Sequence, residues 1–320
     1  MTVIVRDLRP DVRTDVEAFA RVRRLALPFM LATPESVVHH LTRTHPDARF
    51  RSLVAEEDGE VVGTAQVSLA HDSPEPGQGS LNVYVHPERT RRGAGSLLVR
   101  AAEEHLVAHG ATKLYSWVLD EPANRAFAEG HGYGASRSAH FLRLDLAHRA
   151  LPPLQDPPPG VEVRTAADYA DDPRPMFALD AETTSDEPSD IETEFTDYEA
   201  WIEETWKHPL LDLGLTSVVV VDGRPAAFSV AYTDGTLPHS RTRSSGGTPI
   251  STAMTGTARA FRGRGLAKLA KNACLHRARA AGYTEAFTGN DAGNGPMLAI
   301  NKWFGYEICA TEVRHVRELV

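Results

Sequence analysis

The sequence predicts an α/β fold of the α+β kind in which one sheet-and-helix unit is built twice. Three observations carry that expectation. The same order of signals (strand, hairpin, glycine-rich turn, helix, strand) occurs on both sides of a proline-rich stretch. Both hairpins turn on an Asp-Gly pair, Asp58-Gly59 and Asp222-Gly223, a dipeptide whose backbone matches the twist of paired strands. In each half an apolar helical face begins directly after a basic, glycine-rich turn. A repeat of this length means a duplicated domain, since solenoid repeats are far shorter.

Taken in order, "VIVRDLR" at 3–9 opens the first copy as a strand and "VEVRTAA" at 161–167 opens the second. The hairpins "LVAEEDGEVVGTAQVSL" and "VVVVDGRPAAFSVAYT" follow, rich in β-branched residues. Next come "LNVYVHPERTRRGAGSLL" and "STAMTGTARAFRGRGLAKLA", each a strand, a basic turn and a helix start. The second helix places Leu266, Leu269, Ala270, Ala273 and Cys274 on one face before Gly282; the first places Leu98, Ala102 and Leu106 before Gly110. Short strands, "KLYSWVL" and "TEAFTG", lead to "EPANRAFAEGHGY" and "NGPMLAINKWFGY". The stretch "LPPLQDPPPG" has five prolines in ten positions and reads as a stiff connector. The expected domains are 1–150 and 161–320, with 151–160 as linker.

With 42% hydrophobic and 24% charged residues the chain is of soluble globular type, and a net charge of -9 argues against broad nucleic-acid binding. Only Cys274 and Cys309 are present, so no disulfide framework is expected and a reducing compartment suits the chain. Arg6, Asp7 and Arg9 interrupt the start where a signal peptide needs an apolar core, and no run reaches the roughly 20 apolar residues of a membrane helix. A cytoplasmic protein without a membrane anchor, monomeric or homodimeric, is the expectation.

The stretch "FRGRGLAK" at 261–268 concentrates basic residues and glycines at the mouth of a helix. A helix start exposes unpaired N–H groups that attract anions. The dipole adds only about 0.3–1 kcal/mol, whereas a hydrogen bond from a charged donor adds roughly 1.5–3. Arg262, Arg264 and Lys268 beside Gly263 and Gly265 could therefore hold a diphosphate. A solvated basic turn would look the same in isolation; the strand before, the helix after, the recurrence in the other copy and an Asn-rich segment downstream count against it. There is no GxxxxGK[ST], and neither "GAGSLL" nor "GRGLAK" has the third glycine of GxGxxG.

"RGRGLA", Arg262 to Ala267, resembles the acetyl-CoA pyrophosphate loop of the GNAT N-acetyltransferase superfamily: Arg or Gln, two residues, Gly, any residue, then Gly or Ala. "TGNDAGNGPMLAINKWFGYE" resembles that family's second signature, a strand end and the helix beside the pantetheine arm. The resemblance covers most of 161–320 and, less fully, 1–150. It implies tandem GNAT folds, each a mixed, mostly antiparallel sheet that splays open centrally between helices, and acetyl-CoA as co-substrate without a metal. It implies cofactor contacts from Thr255, Gly256 and Thr257, from the loop through Leu266, Ala267 and Lys268, and from Asn290, Asn294 and Asn301. The first copy's counterparts are Val85, Arg91, Arg92, Gly93, Ala94, Gly95, Ser96 and Asn124. There Thr90 stands where the family has Arg or Gln. Losing one charged contact would weaken binding about ten- to a hundredfold, so this copy is expected to be degenerate.

An amine acceptor of pKa about 10.4 must lose a proton before it attacks. The resemblance places a frequent Glu base at the position of Ser251, which could only hold a water in a relay; Asp291, Asp234 and His239 are the nearby titratable candidates. The family's thiolate-protonating Tyr falls on Ala128 and Asn301. By analogy, backbone N–H groups around Met254 to Gly256 would hold the oxyanion. Residues 180–204 contain eleven acidic side chains and no Lys or Arg, a field that would draw in a cationic small-molecule amine; a solvated acidic face is the alternative. The matching part of the first copy carries Arg21, Arg23 and Arg24, so the halves are not expected to share an acceptor. Trp201 and Trp206 could form a cation-binding face or core packing. His105 and His109 have zinc-pair spacing but no third ligand in the sequence. Two function classes stay open: an N-acetyltransferase working in the second copy, and a catalytically silent acyl-CoA-binding regulator.

Overall fold

The computed structural model describes residues 2–154, 156–194, 196–235 and 247–319. In chain order the elements of the first copy are β1 (Val3–Asp7), α1 (Arg13–Ala26), α2 (Pro34–Arg43), β2 (Arg51–Glu57), β3 (Glu60–Leu69), β4 (Gln78–Val85), α3 (Ala94–Ala108), β5 (Lys113–Leu119), α4 (Pro122–Gly130) and β6 (Gly134–Asp145). The second copy supplies β7 (Val161–Thr165), α5 (Arg174–Thr184), α6 (Tyr198–Trp201), β8 (Ser217–Val221), β9 (Arg224–Tyr232), β10 (Pro249–Thr257), α7 (Leu266–Ala280), β11 (Glu285–Asp291), α8 (Gly295–Phe304) and β12 (Glu307–Glu318). The expected element order holds in both copies.

The chain forms two compact units, and packing divides it differently from sequence order. Unit 1 comprises Met1–Ala139, Asp190–Glu194 and Ala310–Val320; unit 2 comprises His140–Ser189 and Phe195–Cys309. In unit 1 the strands run β1-β2-β3-β4-β5-β12, and Glu312 to Glu318 of β12 pair antiparallel with Leu119 to Lys113 of β5. In unit 2 the order is β6-β11-β10-β9-β8-β7. Each sheet is thus closed by a strand from the other half of the sequence. Alternating hydrophobicity tells a strand which face to bury, but not which sheet to join.

Each sheet is covered on both faces. In unit 1, Leu53 of β2 lies in one core with Leu98 and Leu106 of α3, while the next residue, Val54, lies in another with Phe19 and Val37 of α1 and α2. In unit 2 every residue of β8 is buried: Val218 and Val220 pack with Met176 and Leu179 of α5, Val219 and Val221 with Leu266 and Ala270 of α7. A strand buried on both sides reads as an unbroken apolar run, as "SVVVV" does. A third cluster joins Cys274, Leu275 and Ala278 of α7 to Leu142 and Leu144 of β6 and to Leu146 and Leu151 just after it. The start of the proline connector lies along α7, where Asn272 and His276 bond the Pro153 and Pro152 carbonyls at 3.2 and 2.9 Å. Among the described residues no helix is long and apolar enough to cross a membrane.

This closure has a measurable consequence. Residues 161–320 expressed alone lose Leu142, Leu144, Leu146 and Leu151 from their core, and buried leucines are worth about 2–5 kcal/mol each; 1–150 alone loses the strand containing buried Arg314 and His315. Separate halves should be destabilised and prone to aggregate, and coexpressed halves should elute as a one-to-one complex on size exclusion. Two monomeric halves, each melting as sharply as the full chain, would show that each copy can close its own sheet.

Candidate acyl-CoA cleft

In unit 2, β10 and β11 pair in parallel over three residues only, Pro249–Ser251 against Glu285–Phe287, and then part. Side chains close the base of the split: Thr288 Oγ1 donates to the Thr252 carbonyl at 2.8 Å, and Thr252 Oγ1 to the Phe287 carbonyl at 3.4 Å. On its other edge β10 carries an extra residue between Thr252 and Thr255 relative to β9. This bulge takes Ala253 and Met254 out of the ladder, so Met254 can aim a backbone group into the split. Unit 1 splits too, with β4 and β5 paired only over Gln78–Ser80 and Lys113–Tyr115. There, however, β3 and β4 pair without a shift from Gly63–Val85 to Leu69–Gly79. The split is common to both units; the bulge is specific to unit 2.

The basic turn stands at the head of α7. Gly263 and Gly265 both have φ of 76°, and a Cβ on either would meet nothing within 4 Å. The glycines serve the left-handed turn, with open space beside them. Helix α7 has no side-chain cap at its start, so its first N–H groups and the turn can receive an anion. Arg264 lies over the Phe261 ring at 5.9 Å and Lys268 over the Trp303 ring at 4.8 Å, neither paired with a carboxylate among the described residues. Arg262 donates to the Thr257 carbonyl at 3.2 Å and to Asp186. Arg259 grips the same carboxylate at 2.8–3.2 Å. These bonds, from Arg259 foremost and then Arg262, hold Asp186 below the usual carboxylate range. In unit 1 the arginines of the matching turn are paired with the fold instead: Arg89 and Arg92 each reach buried Glu57 at 3.3 Å. Arg91 and Gly93 adopt left-handed conformations, buried Ala94 and exposed Ser96 flank Gly95, a Cβ at Gly95 would come within 3.1 Å of Phe127, and Val85 lies just beyond. Asn124 is bonded to Glu121 at 3.2 Å.

Several residues singled out from sequence have internal duties. Thr255 Oγ1 bonds Ser229 at 3.0 Å, and Gly256 permits α5 to press on β10, since a Cβ there would fall 2.6 Å from Thr183. Asn294 caps α8 through the Met297 N–H at 3.3 Å. Asn301 is wholly buried and bonds Lys271 and Asn290. Ser251 lies in the closed part of the sheet, paired with Tyr232 and Phe287. Asp291 is four residues beyond Phe287, about 13 Å along the strand, and accepts the Gly293 N–H at 2.7 Å to shape the turn into α8. The fold does not bring Ser251 and Asp291 together. Asp234 follows the end of β9 opposite the closed part of β10, away from the split; His239 lies outside the described residues. His105 and His109 are bonded to the Arg49 and His105 carbonyls.

The acidic segment is not one solvated face. Asp186 is neutralised by two arginines, Asp190 pairs with Arg314 at 3.3 Å inside unit 1, and Glu182 accepts the Arg259 N–H at 2.6 Å. Trp201 is 4% exposed and stacks on Trp206 in the core of unit 2, with Phe177 and Tyr198 beside it, so these rings are packing elements. Sequence reasoning counted Asp180 only as one of the eleven acids of 180–204; it accepts the Trp201 Nε1–H at 2.7 Å, and its carboxyl is raised above the ordinary range by burial. Its signal was available. Asp180 falls at helical spacing between Met176 and Thr183, on the buried face of α5.

A family model described as Acetyltransferase (GNAT) family matches residues 19–133. The match falls in the first copy although the loop pattern is complete in the second; the loop is a few positions of one turn, whereas the model spans the whole order of elements. A protein of Nocardia farcinica named mycothiol acetyltransferase is 36% identical over 165 residues, and the chain spans 51% of its length. One of the same name from a Nocardioides species is 26% identical over 90% of this chain and 92% of that protein. Among solved structures, a tandem GNAT protein from the clavulanic acid biosynthesis pathway matches 99% of this chain and 98% of its own at a TM-score of 0.72 and 20% identity. A GCN5-related N-acetyltransferase from Sphaerobacter thermophilus matches 99% and 95% at 0.67 and 21%. Two split sheets, each with a glycine turn and helix at the split, agree with these likenesses: residues 19–133 match the GNAT acetyltransferase family, and the whole chain is similar in fold to a tandem GNAT protein and to a GCN5-related N-acetyltransferase.

Proposed function

We propose that unit 2 transfers the acetyl group of acetyl-CoA to the amine of a small molecule, and that unit 1 is a degenerate copy. The observation that carries this reading is the bulge of β10 beside the split, present in unit 2 and absent from unit 1. Arg264, Lys268 and the N–H groups at the start of α7 would hold the diphosphate, joined by Arg262 when Asp186 releases it. The pantetheine arm would enter between β10 and β11, bringing the thioester carbonyl to the Met254 N–H. An ammonium ion of pKa about 10.4 is neutral in roughly one molecule in a few thousand at pH 7. Asp180, raised toward the pH of the reaction, is suited to take its proton, more so than an ordinary carboxylate. The freed amine adds to the carbonyl, the oxygen charge rests on the bulge N–H, and collapse expels the CoA thiolate, which takes up the second proton lost by the nitrogen as the amide forms.

The acceptor reaches the cleft as a cation and leaves its proton on Asp180. A mycothiol-related acceptor is the candidate favoured by the relative that aligns over 90% of this chain. Acetyl-CoA-dependent thiol release with a panel of small amines tests the activity. Tight acetyl-CoA binding with no turnover on any amine would favour the silent regulator.

Asp180→Asn keeps an acceptor for Trp201 but removes the base. Turnover should fall at least about a hundredfold with acetyl-CoA affinity unchanged. Because the folded-state value is raised, the ionised carboxylate is a cost that grows as pH climbs from the unfolded value through the folded one. The variant's Tm should therefore equal wild type in acid and exceed it at neutral pH. Full turnover in the variant removes Asp180 from the mechanism.

Gly265→Asp should abolish acetyl-CoA binding with a native circular dichroism spectrum, because a Cβ has open space there and the left-handed strain is about 1–2 kcal/mol, which Asp tolerates better than most side chains. An unaltered dissociation constant would reduce the loop to a basic turn. Asp186→Asn should tighten acetyl-CoA about two- to fivefold at low ionic strength by releasing Arg262 and Arg259, with the gain shrinking in salt. Weaker binding would mean that Asp186 holds Arg262 in its productive position.

A further inference from the structure

Lys271 is among the largest fully buried side chains of the protein, with 0% exposure, and acetyl transfer as described above makes no use of it. It stands in the second turn of α7. The Tyr306 ring lies 4.8 Å from its Nζ, and Asn301 Oδ1 accepts from Nζ at 2.5 Å. Burial brings its pKa down to about 7, against a smaller opposing influence of Cys274. The Cys274 thiol is pushed up to about 12 by burial and the Tyr306 phenol is also pushed upward, so both are neutral around Lys271. Of the strands beneath α7, β8 and β10 carry no titratable side chain, and β9 has only Arg224 at its exposed start and Tyr232. On the α8 and β11 side, Lys302 is exposed, Glu285 pairs with Arg143, and Asp291 is bound in its turn. A buried cation without a carboxylate beside it is costly to the fold.

An ammonium group can only donate. Asn301 must therefore turn its oxygen to Lys271 and its Nδ2 away, and that Nδ2 donates to Asn290 Oδ1. With its oxygen engaged, Asn290 has its own Nδ2 left to donate. Asn290 is half-buried on β11, three residues past the last one paired with β10, where the two strands have already separated. We propose that Lys271 is a positioning residue whose ammonium sets the direction of the Asn301–Asn290 amide chain, so that Asn290 presents an N–H to a carbonyl of the pantetheine arm. This rests on the reading of unit 2 as the acyl-CoA site. A neutral amine can accept as well as donate, so the direction is enforced below the pKa of Lys271 and relaxes above it.

The test compares CoA with adenosine 3′,5′-bisphosphate, which lacks the pantetheine arm, by calorimetry on the full chain from pH 6 to pH 8. Lys271→Met should weaken CoA about tenfold, leave the bisphosphate unchanged, and hold or raise the Tm, because an apolar side chain of similar length replaces a buried charge. In wild type the ratio of CoA to bisphosphate affinity should fall as pH rises through about 7; in Lys271→Met it should be flat. Asn290→Ala should reproduce the loss, and the double variant should bind CoA no more weakly than Asn290→Ala alone. An unchanged ratio in Lys271→Met, or a pH-independent ratio in wild type, overturns the positioning role. Should Lys271→Met not fold, Asn290→Ala and the wild-type pH profile decide the question. Wild type that binds neither ligand overturns the acyl-CoA reading itself, an outcome distinct from CoA binding that ignores Lys271.

Discussion

A parallel strand pair that stops after three residues is the constraint on which the rest of unit 2 depends. Backbone groups beyond Ser251 and Phe287 have no ladder partner across the split, and unpaired N–H and C=O groups inside a protein must be satisfied somehow. Thr252 and Thr288 bridge the base with their hydroxyls; deeper in, the edges stay available to a ligand that can supply amides of its own. The cleft is thus an unfinished sheet. Helix α7 follows from the same geometry, because the chain leaving β10 at the open end must cross back over the sheet to enter β11 in parallel. The start of that crossover lies at the mouth of the split, where the left-handed Gly263 and Gly265 make the turn.

The two units share this arrangement and differ in how its charge is balanced. In unit 1, Glu57 is 4% exposed and draws in Arg89 and Arg92. A buried carboxylate needs its partners, so those arginines are held for the fold's sake. In unit 2 the competing carboxylate is Asp186, more exposed and on the segment after α5. A partly exposed pair exchanges partners at little cost, so Arg262 can be both paired in the free protein and available to a phosphate. The same contact connects the phosphate turn to the helix that carries Asp180, one turn before Thr183 and its close approach to Gly256.

Asp180 and Lys271 illustrate one trade. Each is a titratable group placed where burial opposes its charge, and each would be replaced without loss, or with gain, if stability alone were at stake. Groups kept in such places have their protonation equilibria moved toward neutral pH, the range in which proton transfer and switchable hydrogen bonding operate.

The amino-acid sequence by itself determined the order of elements, the two Asp-Gly hairpins, the basic turns and the membership of the apolar helix faces. All of these are local, set by period, propensity and the left-handed tolerance of glycine within a few residues. Tertiary structure alone decided which sheet β6 and β12 complete, that Asp186 sits on Arg262, that Asp180 accepts from the Trp201 ring while Glu182 accepts from the Arg259 backbone, and that Lys271 addresses Asn290 through Asn301. Sequence separation explains the difference: β5 and β12 meet across nearly two hundred residues, and Lys271 and Asn301 across thirty. No periodicity records which of several suitable edges or acceptors a residue will find. The eleven acids of 180–204 look alike in a row; only the folded chain separates those that hold arginines from the one desolvated against Trp201.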